Sequence, residues 1–247
     1  MVRIVRWLWV KLLPFQLVLI MGAIGLSVGL LIALIITLAR GHVPSEANAT
    51  ATQKAVAASV DSSLLKFDEM GKVFTPEVQH WATQIVTWSR QYGVDANILA
   101  TVIQLESCGD FAAGSGAGAQ GLFQVMPFHF AQGEDMHDPE TNAKRGIEYL
   151  KGGLEKAGGH VGLALAGYNG GWGVINQGWS QWYTETKVYY LWGSQLYLDA
   201  ITGKTTAQSA ALQNWLTSGG SRLCAQAAAR LATPTPTQAT VTAAMVH

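Results

Sequence analysis

The chain has 247 residues and no formal net charge, which is enough for one domain of ordinary size with additional segments. The charge is unevenly distributed, because residues 76–202 carry twelve Asp and Glu against six Lys and Arg. An acidic central region argues against nucleic acid as a partner, since a phosphate backbone requires a basic surface. The nine Trp and seven Tyr are compatible with a sugar-binding cleft and equally with ordinary core packing.

Residues 12–39 form an apolar run that contains no charged residue. The run exceeds the roughly 20 residues that a helix needs to cross a bilayer. Three basic residues precede it and a single arginine follows it at once, so the positive-inside rule places residues 1–11 in the cytoplasm and the remainder outside. A signal peptide cleaved near Ala47-Asn48-Ala49 is the alternative, but its apolar stretch would be only about 7–15 residues long. We therefore predict an uncleaved, single-pass transmembrane anchor.

A tether and then a folded domain are predicted after the anchor. Residues 40–74 are rich in Ala, Ser, Thr and Val and show weak periodicity, which is typical of a linker. Thr75-Pro76-Glu77 then supplies a cap and a proline at the first helical position. The domain is expected to cover residues 75–202, followed by a helical segment at 203–232 and a disordered, Thr- and Pro-containing tail at 233–247.

An apolar helix is predicted from about Ala96 to Glu106, with Asp95 as its N-cap. Glu106 falls on the apolar stripe of this helix, four residues after Val102 and three after Ile103. Desolvation raises the pKa of a carboxyl that lies among apolar side chains, and such a carboxyl suits a general acid. The alternative is a glutamate at the end of a core helix that reaches solvent or pairs with a lysine.

The other predicted elements are also helical. Helical spacing and start or stop residues predict a helix that ends at Gly93, and others from Asp138-Pro139-Glu140 to Gly152-Gly153, from His160 to Tyr168 and from Glu185 to about Ala200. The glycine-dense segment 114–121 is predicted to be a loop. Because little of the sequence alternates with period two, we predict a mainly α fold with at most a small hairpin in this loop.

Two cysteines, Cys108 and Cys224, lie far apart in the sequence and fit no metal-binding spacing. If the domain lies outside the cytoplasm, they can form one disulfide that ties the C-terminal segment to the end of the Glu106 helix. Two free thiols are the alternative, and the distance between the two Cα atoms decides between them.

Neither a cofactor nor a metal is predicted. Residues 116–121 fit the pattern G-x-G-x-x-G, but they follow a helix where a dinucleotide site needs a strand, and Met126-Pro127 stands where the phosphate-binding helix should begin. His129 and His137 have no partner at metal-ligand spacing and are interpreted as surface residues.

Four sequence blocks occur together in residues 76–200. They are Glu106-Ser107 at a helix end, Ser115–Gln124 followed by Met126-Pro127, Gly167–Gly170, and Glu185–Tyr189. In this order and at these separations, the blocks resemble the lytic transglycosylases of the soluble-transglycosylase, goose-type-lysozyme-like family. The resemblance implies a lysozyme-like catalytic domain that acts on bacterial peptidoglycan, and a bacterial inner membrane as the location of the anchor.

The resemblance also implies roles for individual residues. Glu106 would be the single catalytic acid/base. Five further residues are expected to bind substrate or to orient groups near Glu106, and these are Ser107, Gln124, Tyr168, Asn169 and Tyr189. Three positions depart from the family's pattern. Phe123 stands where Met is usual, Gly167 where Ala is usual and Lys187 where Arg is usual. Phe123 is interpreted as an apolar wall, and Gly167 puts the geometry of the two residues after it in question.

Ordinary glycosidases use two carboxylates, whereas no second acid shares a motif with Glu106 here. Asp110 is the nearest in sequence and is not expected to face the cleft. The resemblance implies cleavage of the MurNAc–GlcNAc bond without water, which would leave 1,6-anhydro-MurNAc ends, and a single carboxylate agrees with such a reaction.

The sequence leaves three alternatives to this activity open. One is a hydrolytic muramidase that uses the same Glu106 with a water molecule. Another is a non-catalytic glycan-binding component of an envelope complex. The third is an enzyme that opens the wall locally for a secretion or conjugation complex, although the sequence names no partner.

Overall fold

The computed structural model describes residues 69–232. The predicted anchor at 12–39, nearly all of the predicted linker and the predicted tail at 233–247 lie outside the described residues. Within residues 69–232, no helix combines the length and the apolar character needed to cross a membrane.

The described part of the chain is mainly helical, as predicted. Its α-helices are α1 (Pro76–Gln79), α2 (Ala82–Tyr92), α3 (Ala96–Glu106), α4 (Pro139–Lys156), α5 (Val161–Gly170), α6 (Thr184–Ile201), α7 (Ala210–Trp215) and α8 (Ser221–Leu231). Short 3₁₀ segments occur at Pro127–His129, Trp172–Asn176, Trp179–Gln181 and Thr206–Gln208, and a π-helical turn at Leu216–Gly220 joins α7 to α8.

The predicted starts of α3 and α4 have side-chain caps, whereas the predicted cap before α1 makes no side-chain hydrogen bond to its helix. Asp95 begins α3 by accepting a hydrogen bond from the Asn97 N–H at 2.7 Å. Asp138 begins α4 in the same way, because its carboxylate accepts from the Thr141 N–H at 2.9 Å. Each cap satisfies one of the N–H groups that a helix start leaves without an intrahelical partner. Gly93, at φ 67°, ends α2 in the left-handed conformation that favours glycine.

The predicted end of α4 at Gly152-Gly153 is wrong, because the helix continues to Lys156. The two glycines allow close packing instead of stopping the helix. A Cβ on Gly152 would lie 2.6 Å from the Trp172 ring, and a Cβ on Gly153 would lie 3.5 Å from the indole nitrogen of the same residue. The chain turns only at Gly158 and Gly159, which have φ values of 59° and 84°.

Helix α3 lies at the centre of the core. All residues from Ala96 to Leu105 are buried, and the helix packs against α2 and α6. Helix α5 packs against both α4 and α6. Because α3 is enclosed along its length, Glu106 at its C-terminal end is the first residue of the helix that reaches the surface.

The glycine-dense segment forms a loop with two isolated β-bridges, Gly114 to Gln120 and Gln120 to Val125. The buried Asn142 of α4 holds this loop from below. Its side-chain oxygen accepts from the Phe123 N–H at 2.9 Å, and its amide donates to the Gln120 carbonyl at 2.8 Å. The predicted small hairpin is therefore a bridged loop that a core asparagine fixes in place.

The C-terminal segment packs on the rest of the described chain. Helix α7 contacts α6, and α8 contacts α1. A disulfide joins Cys108, just after α3, to Cys224 in α8, with 5.0 Å between the two Cα atoms. Residues 203–232 are thus linked to the end of the Glu106 helix.

Candidate active site

Glu106 ends α3 and is partly exposed, while the residues before it in the helix are buried. Burial raises the pKa of the Glu106 carboxyl from 4.5 to about 7, because desolvation disfavours the charged form. The Tyr189 hydroxyl lowers this pKa and the charge of Glu185 raises it, and both effects are smaller than that of burial. A carboxyl with such a pKa can donate and accept a proton near neutral pH.

Two tyrosine hydroxyls lie near the Glu106 carboxyl. Tyr189 is buried in α6. Among residues 69–232, no group satisfies both the distance and the angle of a hydrogen bond to its hydroxyl, but the hydroxyl lies close enough to the Glu106 carboxyl for the two to interact. Tyr168 in α5 donates its hydroxyl to the Phe123 carbonyl at 2.7 Å. Burial, followed by the negative charge of Glu106, raises the pKa of both tyrosines well above 10. Both hydroxyls therefore remain neutral at physiological pH.

Gln124 follows the glycine-dense loop and adopts a left-handed backbone conformation, with φ 46°. Its side-chain amide donates to the Ala113 carbonyl at 3.1 Å and to the Gly121 carbonyl at 3.0 Å. These bonds fix the side chain against the loop, at the border of two cavities. A positive φ at a residue other than glycine is uncommon and marks a position that its surroundings strongly determine.

Asn169 and Ser107 use their polar side chains inside the protein. The Asn169 side-chain oxygen accepts from the Thr186 hydroxyl at 2.9 Å, which ties α5 to α6. Ser107 is only 1% exposed, and its hydroxyl donates to the Leu122 carbonyl at 2.7 Å. Ser107 therefore positions the loop after Glu106, and the prediction that it binds substrate directly is not supported by this geometry.

Two cavities meet at Gln124. The larger has a volume of about 880 Å³, and its lining includes Glu106, Asp110, residues 112–116 and one face of α8. The smaller, of about 150 Å³, contains Tyr168 and Asn169. We refer to the two cavities, which share Gln124, as the groove. The larger volume lies in the range of about 300–1,000 Å³ that is typical of ligand sites. Glu106 lines the larger cavity, Tyr168 and Asn169 line the smaller one, and Gln124 lines both, while their binding of substrate stays a prediction.

Asp110 lines the larger cavity, so the expectation that it would not face the cleft is wrong. Its carboxylate is nevertheless engaged, because it accepts from the Arg230 Nε at 2.9 Å and from the Ala112 N–H at 3.0 Å. The sequence could not show this, since Arg230 lies 120 residues further along the chain.

The three departures from the family pattern lie in different surroundings. Phe123 is fully buried and packs against Gly146 and Trp88, so it belongs to the core and does not form a wall of the cleft. A Cβ on Gly167 would lie 2.8 Å from the end of Ile175, which fills the space of the missing methyl. Lys187 places its Nζ 5.7 Å from the centre of the Trp179 ring.

Sequence reasoning missed two groups of residues that line the groove. The smaller cavity includes the 75% exposed Phe128, His129, which contacts it, and Tyr149, which contacts His129. The larger cavity includes residues of α8, which are Arg222, Leu223, Gln226, Ala229 and Arg230. The one available signal for α8 was Cys224, because a disulfide to Cys108 brings this helix close to Glu106.

His129 and His137 both make local contacts. The His129 ring lies 4.7 Å from the Tyr149 ring, and burial lowers the pKa of the His129 imidazole. The exposed His137 lies 2.9 Å from the Gln120 side-chain oxygen. Among the described residues, the one group of three metal-ligating side chains comprises Glu77 and the two cysteines, whose sulfurs are bonded to each other.

Comparison with known proteins identifies the central part of the chain. Residues 84–190, which contain all four sequence blocks, match the family model described as Transglycosylase SLT domain. A protein of Enterobacteria phage PRD1 named Transglycosylase is 36% identical over 117 residues, which are 45% of this chain and 40% of the phage protein. The chain thus matches less than half of the length of this relative. The resemblance to lytic transglycosylases is confirmed for this segment.

A solved structure is also similar to part of the chain. It is an inactive mutant of the lytic transglycosylase Slt from Pseudomonas aeruginosa, with a TM-score of 0.42 and 21% sequence identity. The match covers 50% of this chain and 25% of that chain.

Proposed function

We propose that this chain, whose residues 84–190 match the transglycosylase SLT family model, is a peptidoglycan lytic transglycosylase. It cleaves the bond between N-acetylmuramic acid and N-acetylglucosamine without water and leaves 1,6-anhydro-MurNAc ends. The observation that carries the proposal is Glu106, a carboxyl with a pKa of about 7 that opens into a groove of sugar-binding size.

In the first step, Glu106 acts as a general acid. At neutral pH about half of the Glu106 carboxyls are protonated, because the pKa lies near 7. The proton passes to the glycosidic oxygen, the bond from this oxygen to the muramic acid C1 breaks, and the leaving sugar departs with a hydroxyl. The acetamido oxygen of the substrate stabilises the positive charge that develops at C1.

In the second step, the ionised Glu106 acts as a general base. It takes the proton of the C6 hydroxyl while the C6 oxygen bonds to C1, and the carboxyl returns to its protonated form. The Tyr189 hydroxyl supports the ionised state between the two steps, since its interaction with the carboxyl lowers the pKa of Glu106. No water is consumed, and one carboxyl performs both proton transfers.

Hydrolysis by the same Glu106 is a second candidate. The observation that favours it is Glu185, an exposed carboxyl in the first turn of α6 whose charge raises the pKa of Glu106. A second carboxylate near the catalytic acid can activate a water molecule, as in inverting glycosidases. Glu185 is not among the residues that line either cavity, and we therefore favour the reaction without water.

We further propose that the enzyme is held at the outer face of a bacterial inner membrane by residues 12–39. Two observations support this location. The apolar run is long enough to span a bilayer, and a disulfide between Cys108 and Cys224 suits a domain in an oxidising compartment. An anchored enzyme would cut peptidoglycan close to the membrane, either alone or within an envelope or secretion complex.

Mass spectrometry of digested peptidoglycan in water enriched in oxygen-18 tests the reaction. We expect muropeptides that are lighter by one water than hydrolytic products and that carry no heavy oxygen at C1. A hydrolytic muramidase that digests the same material provides the reference products. If the products instead have reducing ends at muramic acid that carry oxygen-18, the reaction is hydrolysis. In that case Glu185→Gln should abolish it. The Glu106→Gln chain controls for contaminating enzymes.

A further inference from the structure

One wall of the larger cavity lies outside the segment that matches the transglycosylase family. The match ends at residue 190, whereas α8 spans Ser221–Leu231 and contributes Arg222, Leu223 and Gln226 to the cavity that contains Glu106. Substrate contacts on this wall are therefore features of this chain, in addition to those that the four sequence blocks supply.

Two links hold α8 against the loop that follows Glu106. The disulfide joins Cys224 to Cys108, and the Arg230 Nε binds the Asp110 carboxylate at 2.9 Å. They lie six residues apart on α8, nearly two turns of the helix, so they fix both its position and its direction. The side chains of α8 that face the cavity are consequently presented by a fixed element.

Arg222 is the cation of this wall that lacks an anionic partner. Four charged residues line the larger cavity, and two of them, Asp110 and Arg230, bind each other. The third, Glu106, is about half neutral at pH 7. Arg222 is exposed and, among the described residues, forms no ion pair.

We propose that Arg222 binds a carboxylate of the substrate, so that α8 forms an anion-recognising subsite next to the catalytic carboxyl. This inference rests on the proposed function, because it assumes that a peptidoglycan strand occupies the groove. A guanidinium presents two parallel N–H donors that match a carboxylate. Peptidoglycan offers carboxylates from two sources, the peptide stem and, where the stem has been removed, the lactyl group of muramic acid.

The geometry of the cavity fits such a ligand. Glu106 must contact the scissile glycosidic bond, and the lactyl group with its stem branches from C3 of the muramic acid ring whose C1 carries that bond. The cavity of about 880 Å³ extends from Glu106 to Arg222 and has room for a branch as well as a sugar ring. Gln226, one turn after Arg222 on the same helix, adds an amide that can bond to a peptide group.

Binding of three glycans to the full chain tests the proposal. All proteins carry Glu106→Gln, so that ligands are not cleaved, and they are compared with Arg222 intact or changed by Arg222→Gln. The ligands are stem-bearing muroglycan fragments, stem-free fragments with a free lactyl carboxylate, and a neutral N-acetylglucosamine oligomer. Calorimetry measures each Kd at low and at physiological salt concentration.

We expect Arg222→Gln to weaken at least one anionic ligand about tenfold, the effect of losing a charge-assisted hydrogen bond, and to leave the neutral oligomer unchanged. A loss confined to stem-bearing fragments assigns the stem carboxylate, and a loss with stem-free fragments assigns the lactyl carboxylate. Arg222→Lys should restore part of the affinity, since it keeps the charge without the planar pair of donors. Equal weakening of all three ligands, or of none, overturns the proposal.

Lys144→Gln is the matched control. Lys144 is an exposed cation on α4 that lines neither cavity, and its substitution changes the net charge by the same amount. If Lys144→Gln weakens the anionic ligands as much as Arg222→Gln does, the effect is one of overall charge and the subsite is refuted. If the chain with Arg222 intact binds no muroglycan at all, the proposed function fails first, and this result is distinct from a failure of Arg222 alone.

Discussion

Asp110 and Arg230 form an ion pair across 120 residues of sequence, with 2.9 Å between Oδ1 and Nε. Asp110 is nearly fully buried and lies only four residues after Glu106, whereas Arg230 lies near the end of α8 and remains half-exposed. The pair neutralises the second carboxylate of the larger cavity. Glu106 is therefore left as the carboxyl of that cavity which is available for proton transfer.

The ion pair predicts that Asp110 is not a catalytic carboxyl. Asp110→Asn retains an oxygen that can accept from the Ala112 N–H and removes the charge that holds Arg230. We expect kcat on peptidoglycan to stay within about tenfold of the unmodified chain, since loss of a general acid or base costs about 10²–10⁴-fold. A turbidity assay on purified cell walls measures this, and a loss as large as that of Glu106→Gln would make Asp110 part of the chemistry.

Glu106→Gln should abolish cleavage while glycan binding persists. Glutamine is nearly isosteric with glutamate but cannot give up and regain a proton, so we expect kcat to fall by about 10²–10⁴-fold or more. In the unmodified chain, kcat should decline as pH rises above about 7, because the proton that protonates the leaving oxygen is lost. Release of soluble muropeptides, followed across pH, measures both effects. Activity that persists in the variant would show that Glu106 is not the catalytic acid/base.

Burial of Glu106 also makes stability depend on pH. The carboxyl has a pKa of about 7 in the folded chain against 4.5 unperturbed. As pH rises above 4.5, the unfolded chain releases this proton first, so the free energy of unfolding falls until pH passes about 7. The loss is on the order of 3 kcal/mol. Thermal melts of Glu106→Gln and the unmodified chain should thus differ little at pH 4, and the variant should be more stable at pH 8. A stability difference that does not change with pH would contradict the raised pKa.

Tyr189→Phe should move the basic limb of the pH–activity profile upward. The Tyr189 hydroxyl lowers the pKa of Glu106, so its removal raises that pKa further and retains the protonated acid to higher pH. We also expect a lower maximal kcat, because the ionised carboxyl is less well supported between the two steps. The control is Tyr190→Phe, which removes the hydroxyl of a neighbouring buried tyrosine that packs on Trp182 and whose pKa, unlike that of Tyr189, is not raised by the charge of Glu106. An unchanged pH–activity profile in Tyr189→Phe would show that this hydroxyl does not influence the pKa of Glu106.

The sequence predicts most of the helices and the place of Glu106 at a helix end because these depend on local patterns. Asp95 as a cap, the buried stripe of α3 and the position of Glu106 all follow from spacing within one helix. Gly152 shows where such patterns fail. In the sequence, a glycine that packs against the Trp172 ring cannot be distinguished from one that ends a helix, because the difference lies in the packing partner. For the α8 wall, the sequence indicates only that Cys108 and Cys224 can pair, and the Asp110–Arg230 contact, between residues 120 positions apart, has no local signal.

The disulfide predicts that the α8 wall depends on the redox state. The bond between Cys108 and Cys224 closes a loop with a sequence separation of 116 residues, and removing a disulfide of this kind costs about 2–5 kcal/mol. We expect Cys224→Ala to lower the Tm by about 5–15 °C and to weaken glycan binding, because α8 is then held without a covalent link, by the Arg230–Asp110 pair and by its packing on α1. Melting curves and Kd values with and without a thiol reductant measure this.

The Cys108→Ala, Cys224→Ala double variant is the matched control for that experiment. It has no thiol to react, so the reductant should change neither its Tm nor its Kd for glycan. The unmodified chain should approach the double variant when it is reduced, because both then lack the same covalent link. If the unmodified chain keeps its Tm and glycan affinity after complete reduction, verified by thiol titration, α8 is held without the disulfide. In that case the ion pair and the packing of α8 on α1 are sufficient to form the wall.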